Sequence, residues 1–177
     1  MRNTPIILIL LSLAFITCKK KTELTELEKL PPATREGKNT FGCLINGKAW
    51  TPKGYRPNTP NYYIVVDPGF ADGDLSIRTY RIDNGIYESI TINSDSVKTI
   101  GDYQIDNFKR TRAIYRKWTE GLTQLICDVE GKGTLTITKY DLANGIISGT
   151  FEFAMVNPAC GYGDTIRVAN GRFDKKL

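Results

Sequence analysis

The chain has 177 residues, with 24 Lys and Arg against 19 Asp and Glu and no histidine. The missing histidine excludes Ser-His-Asp and Cys-His catalysis, His-ligated zinc and histidine acid-base chemistry. The net charge of +5 is concentrated near the N-terminus, because residues 41–177 hold 17 bases and 15 acids, a balance of only +2. That is too even for the basic surface a nucleic-acid partner demands.

Pro5 to Thr17 reads PIILILLSLAFIT and follows one positive charge at Arg2, the layout of a secretory signal in residues 1–17. The run is shorter than the roughly 20 apolar residues a membrane span needs. FITC followed by KKK, residues 15–21, resembles a bacterial lipobox, with Thr17 where Ala, Gly or Ser is usual. The resemblance implies that Cys18 becomes the first residue, carries a diacylglycerol and is acylated on its new amine, for instance with palmitate. Two or more acyl chains give stable anchoring. The alternative is an ordinary signal peptide with Cys18 free or in a disulfide.

Residues 18–40 include KKKTELTELEKLPPATREGKNT. This polar, sign-alternating segment with Pro31-Pro32 reads as a flexible tether, too poor in apolar surface to fold alone. Residues 41–177 are enough for a single domain with its own core.

In that domain, period-2 alternation is interrupted every eight to twelve residues by Asn-Gly, Asp-Gly or Gly-X-Gly, the pattern of an all-β protein. The strands expected in order are FGCLIN, AWT, NYYIVV, DLSIRTYRI, GIYESITI, DYQIDNF, RAIYRKW, LTQLICDV, GTLTITKY, IISGTFEF, DTIRVA and RFDKK. Asn46-Gly47, Asn84-Gly85 and Asn170-Gly171 supply the positive φ angles of tight hairpins, and Asn144-Gly145 sits in a slightly longer loop. Sequential hairpins predict an antiparallel meander closing as a β-sandwich or flattened barrel. Parity puts Leu135 and Ile137 on one face, and Ile147, Gly149, Phe151 and Phe153 inward. NYYIVV, apolar on both parities, predicts a central strand.

NTFGCLINGKAW, GTLTITKYDLANGIISGTFEF and DTIRVANGRFD together bracket nearly the whole domain. They resemble a group of small cell-envelope lipoproteins of the Bacteroidota type whose function is not established. The resemblance implies an all-β fold and an envelope location, with an outer-membrane lipid anchor, and brings no catalytic residues or cofactor. Surface-exported members carry acidic residues just after the cysteine, whereas this chain has lysines, which favours a periplasm-facing domain.

Few residues suggest chemistry. In an oxidising envelope, Cys43, Cys127 and Cys160 are disulfide candidates. Closing a barrel or sandwich brings first and last strands together and favours Cys43 with Cys160, leaving Cys127 as a core thiol. No cysteine spacing supports a metal site. Asp67, Asp72 and Asp74 in VDPGFADGD have the density of a weak calcium loop, but aspartates that bond their own backbone in a turn are the simpler account. KRTRAIYRKW gathers Arg110, Arg112, Arg116 and Lys117 around Tyr115 and Trp118, a candidate surface for an anion or other ligand. The ordinary alternative is a wet strand face guarded against edge pairing. Glu88 shares the parity of Ile86, Ile90 and Ile92. An inward carboxyl there would suit acid catalysis, while an irregular strand turning Glu88 outward is the simpler expectation.

The expectation is therefore a non-catalytic binding or interaction module, with no cofactor and no metal. Membrane contact runs through its lipid, and the ligand is a glycan, a small apolar molecule or another envelope protein. A carboxylate-dependent glycan hydrolase and a structural envelope component are the alternatives.

Overall fold

The computed structural model describes residues 23–106, 108–119, 129–156 and 165–177. Cys18, Cys127 and Cys160 fall outside them. The described residues form eleven strands and no helix: β1 (Thr40–Ile45), β2 (Lys48–Trp50), β3 (Tyr62–Asp67), β4 (Asp74–Asp83), β5 (Ile86–Ser94), β6 (Gly101–Ile105), β7 (Thr111–Thr119), β8 (Val129–Glu130), β9 (Lys132–Asp141), β10 (Ile146–Met155) and β11 (Ile166–Lys176). The fold is all-β, as the alternation predicts.

One ladder runs β2-β1-β11-β10-β9-β6-β7-β5-β4-β3, with β8 beside β7. Two hairpins turn where the sequence places them. Asn46 and Gly47 have φ of 47° and 78°, and Asn84 and Gly85 have 49° and 72°, the left-handed pairs of a two-residue turn whose twist matches its strands.

The strand order departs from a strict meander at β6, which lies between β9 and β7 and lets β5 pair directly with β7. Its single bridge to β7, Ile105 with Thr111, is parallel. Asn170-Gly171 is not a hairpin. Both residues lie inside β11, where the register along β10 jumps from Phe151 opposite Gly171 to Phe153 opposite Val168. This is a bulge, with Asn170 at φ 51° taking up the extra residue. The two expected C-terminal strands are thus one bent strand. β3 is an edge rather than a central strand, pairing with β4 alone. On its outer face the Tyr63 ring carries the Arg78 guanidinium, 5.7 Å from its centroid, and Val65 is exposed.

The sheet curls about one core. Leu75, Ile77, Ile90, Ile92, Ala113, Leu135, Ile137 and Ile147 are fully buried, and Phe41, Phe151 and Phe153 stack through it. Leu135, Ile137, Ile147, Phe151 and Phe153 face inward as parity requires. Gly149 belongs to this face because a Cβ there would stand 2.3 Å from the Thr136 carbonyl and 2.7 Å from the Phe173 ring. The ladder is not closed, yet its ends meet through side chains: Phe41 of β1 packs on Tyr62 of β3 at 5.6 Å between ring centroids. After β2, Lys53 bridges Arg81 of β4.

The segment read as a flexible tether is fastened from Thr25 onward. Thr25 and Glu28 cap a short turn, Glu26 accepts the backbone N–H of Ala49 at 2.7 Å on the edge strand β2, and Leu30 is buried. Beyond it, the carboxylate of Asp174 accepts five hydrogen bonds. They come from the Thr34 hydroxyl (2.6 Å), the backbone N–H groups of Glu36 (3.0 Å), Gly37 (2.8 Å) and Lys38 (3.0 Å), and the Ser148 hydroxyl (2.7 Å). Asp174 is 1% exposed. Burial alone would push its pKa up; the N–H and hydroxyl donors outweigh that and hold the carboxyl far below the usual range. A segment with no apolar face of its own is ordered because one buried anion satisfies its backbone.

Candidate functional site

The sheet registers explain where a site forms. On β4, β5 and β7, three inward rows follow one another. Ile77, Ile92 and Ala113 make the first, Thr79, Ile90 and Tyr115 the second, and Arg81, Glu88 and Lys117 the third. The interior thus changes within two rows from apolar to charged at one end of the curled sheet. There the β1–β2 hairpin lies across it, and a cavity of about 310 Å³ remains.

β5 is regular through Glu88, so the outward turn expected from sequence does not occur. Glu88 keeps the parity of Ile90 and Ile92, and its side chain is 18% exposed. Its two oxygens are divided between partners from distant strands. Oε2 accepts the indole N–H of Trp50 at 3.1 Å, and Oε1 accepts the Tyr115 hydroxyl at 2.6 Å. Lys117 Nζ stands 4.0 Å from Oε1. A carboxylate with each oxygen accepting from a neutral donor is held in place by those bonds, and its ion pair with Lys117 is a long one.

Arg81 is held from the opposite side. Its Nη2 donates to Asp83 at 2.8 Å and its Nη1 reaches the Ala49 carbonyl at 3.5 Å, while its Nε is buried with no partner among the described residues. Lys48 and the apolar Ile45, Ala49, Trp50 and Ile166 complete the wall. Three cations thus face one carboxylate, beside an apolar floor. Cys43 lies behind Trp50, its register partner on β2. It is a fully buried thiol, pushed upward by burial and further by the Glu88 charge, which keeps it protonated and unreactive.

The six residues read as one ligand surface are separated by strand parity. Tyr115 and Lys117 line the cavity. Arg112, Arg116 and Trp118 alternate with them on the outer face, where Trp118 stacks on Tyr87 at 5.2 Å and Arg56 covers that ring at 5.3 Å. Arg110 is at the other end of β7, paired with Asp72 and Asp95. The aspartates of the VDPGFADGD loop are likewise engaged: Asp67 Oδ1 accepts the N–H groups of Gly69 and Phe70 in a turn, and Asp72 pairs with Arg110 and Lys98. Sequence reasoning missed Lys48, Arg81 and Ile166. Arg81 carried a usable signal, since it shares the parity of Leu75 and Ile77. The place of Trp50 at the cavity depends on how far the sheet curls.

These elements define an all-β protein with one polar, hollow end. A family model described as a domain of unknown function (DUF6252) matches residues 65–175, and the chain belongs to that family. The match contains Arg81, Glu88, Tyr115 and Lys117 and begins after Lys48 and Trp50. No curated protein and no solved structure matches the chain.

Proposed function

We propose that the protein is a lipid-anchored cell-envelope module, periplasm-facing, that binds a small ligand in the cavity between the β1–β2 hairpin and the Arg81–Glu88–Lys117 row without transforming it. The observation that carries the binding reading is this row, in which three adjacent strands turn charged side chains into a hollow lined by Trp50 and Tyr115. Charged groups turned inward cost stability unless they are paired and hydrogen-bonded, and concave sites with an apolar wall and a few convergent polar groups are the usual ligand sites. The anchoring reading rests on the lipobox-like FITC with Cys18.

Glycan hydrolysis is the second reading, because Glu88 is an inward carboxyl in a hollow. A two-carboxylate mechanism requires a partner about 5–10 Å away, and Glu88 is the one carboxylate among the described residues lining this cavity. Both Glu88 oxygens are also engaged, which favours a positioning role.

The two readings separate by experiment. A fragment panel of small acids, amides, amines and sugars is titrated against the full chain, and the indole N–H resonance of Trp50 is followed. Trp118→Phe assigns that signal, since the chain has two tryptophans. Saturable movement of the Trp50 signal with no turnover of a glycan panel supports binding. Turnover that Glu88→Gln abolishes replaces it with the enzyme.

A further inference from the structure

Resting on the cavity as a binding site, we infer that its ligand class is the small organic anion: an acidic head on a short apolar body. The charge balance of the wall points to it. Lys48, Arg81 and Lys117 line the cavity with Glu88 as its one carboxylate; Asp83 behind Arg81 offsets one of these charges, which leaves two cations against Glu88. Glu88 is the poorer candidate for recognising a ligand, because Trp50 already occupies an acceptor site on one of its oxygens and Tyr115 one on the other. The unspent hydrogen-bonding capacity lies with the cations. Arg81 Nε is buried with no acceptor among the described residues, and Lys117 reaches its nearest carboxylate oxygen only at 4.0 Å.

A carboxylate or similar oxyanion between Arg81 and Lys117 accepts from the exposed part of the guanidinium and from the ammonium, whose side chains are 26% and 37% exposed, and guanidinium and ammonium donors to an oxyanion make the stronger class of hydrogen bond. The apolar part of the ligand has Ile45, Trp50 and Ile166 to cover. A volume of about 310 Å³ stands at the lower end of the ligand-site range of about 300–1,000 Å³, so the body is short.

Three probes of nearly equal shape test the charge: hexanoate, hexanamide and hexylammonium. Each is titrated into the full chain with the Trp50 indole N–H signal as readout. Hexanoate is expected to bind at least tenfold more tightly than the other two. Lys117→Met and, at the exposed rim, Lys48→Gln are expected to erode that preference while leaving hexanamide unchanged. The second variant keeps the test valid should the first misfold. Equal binding of the amide or the ammonium overturns the anion inference and leaves the cavity as a binding site. No movement of the Trp50 signal by any of the three, or by the wider fragment panel, overturns both.

Discussion

Trp50 on the end strand β2 and Glu88 on β5, far along the hydrogen-bonded ladder, are joined by an indole N–H donated over 3.1 Å. The bond fastens the β1–β2 hairpin across the open end of the curled sheet. A hydrogen bond to a charged group contributes about 1.5–3 kcal/mol, so Trp50→Phe is expected to lower unfolding stability by at least that much once lost packing is included. A double-mutant cycle with Glu88→Ala, followed by urea unfolding, should give a coupling of about 1 kcal/mol or more. Additivity within about 0.3 kcal/mol would show that the two residues do not cooperate.

Asp174 is the second fastening. Replacing it with Asn leaves one acceptor oxygen for five donors and turns an N–H pair toward some of them. The expected loss is about 3 kcal/mol, the cost of unsatisfied buried groups. Trypsin should then cut at Arg35 and Lys38 well before the core, whereas the wild type resists at both positions. Equal cleavage rates in the two proteins would mean that Asp174 does not hold the segment.

The same carboxylate sets a pH dependence. Its folded pKa lies below its unfolded value of about 4, so its contribution is full above that value and is lost as pH falls toward the folded one. Wild-type stability should therefore drop below about pH 4 by more than that of Asp174→Asn, and the two unfolding curves should converge in acid.

Glycine positions divide by space and backbone. Gly149→Ala places a Cβ against the Thr136 carbonyl and the Phe173 ring and should cost about 1–3 kcal/mol or more through overpacking. Gly47→Ala meets nothing within 4 Å and suffers only from its φ of 78°, a penalty of about 1 kcal/mol. Thermal unfolding of the two variants should rank them in that order.

Lipidation is tested separately from the fold. Radioactive palmitate should label the wild type and leave Cys18→Ala unlabelled; equal labelling removes the anchor from the proposal.

What could be read in advance depended on the range of the interaction. Alternation placed Leu135, Ile137, Phe151 and Phe153 correctly, because a strand's faces follow from its own residues. Asn46-Gly47 and Asn84-Gly85 revealed their hairpins for the same local reason. Asn170-Gly171 used the same backbone angles for a bulge, since what flanks it is a continuous strand and not a reversal. Parity offered Glu88 as an inward position, but the outward turn expected as simpler does not occur, because β5 stays regular through it, and its partners were hidden. Trp50 arrives from 38 residues upstream, and the donors to Asp174 are as many as 140 residues away. Contacts of that separation follow from the strand order, in which the insertion of β6 and the edge position of β3 were themselves not legible.

The docking of residues 25–40 changes the mechanics of an anchored protein. If residues 18–40 were slack, a lipid on Cys18 would let the barrel wander to about 75 Å from the bilayer, at roughly 3.3–3.6 Å per extended residue. With the segment strapped down from Thr25, no more than residues 18–24 could span the gap, a reach of about 25 Å even if fully extended. On the proposed lipid anchor such a domain would be a moored body rather than a kite, held in the layer just above the headgroups, where it would meet only those ligands and neighbours that come that close to the membrane.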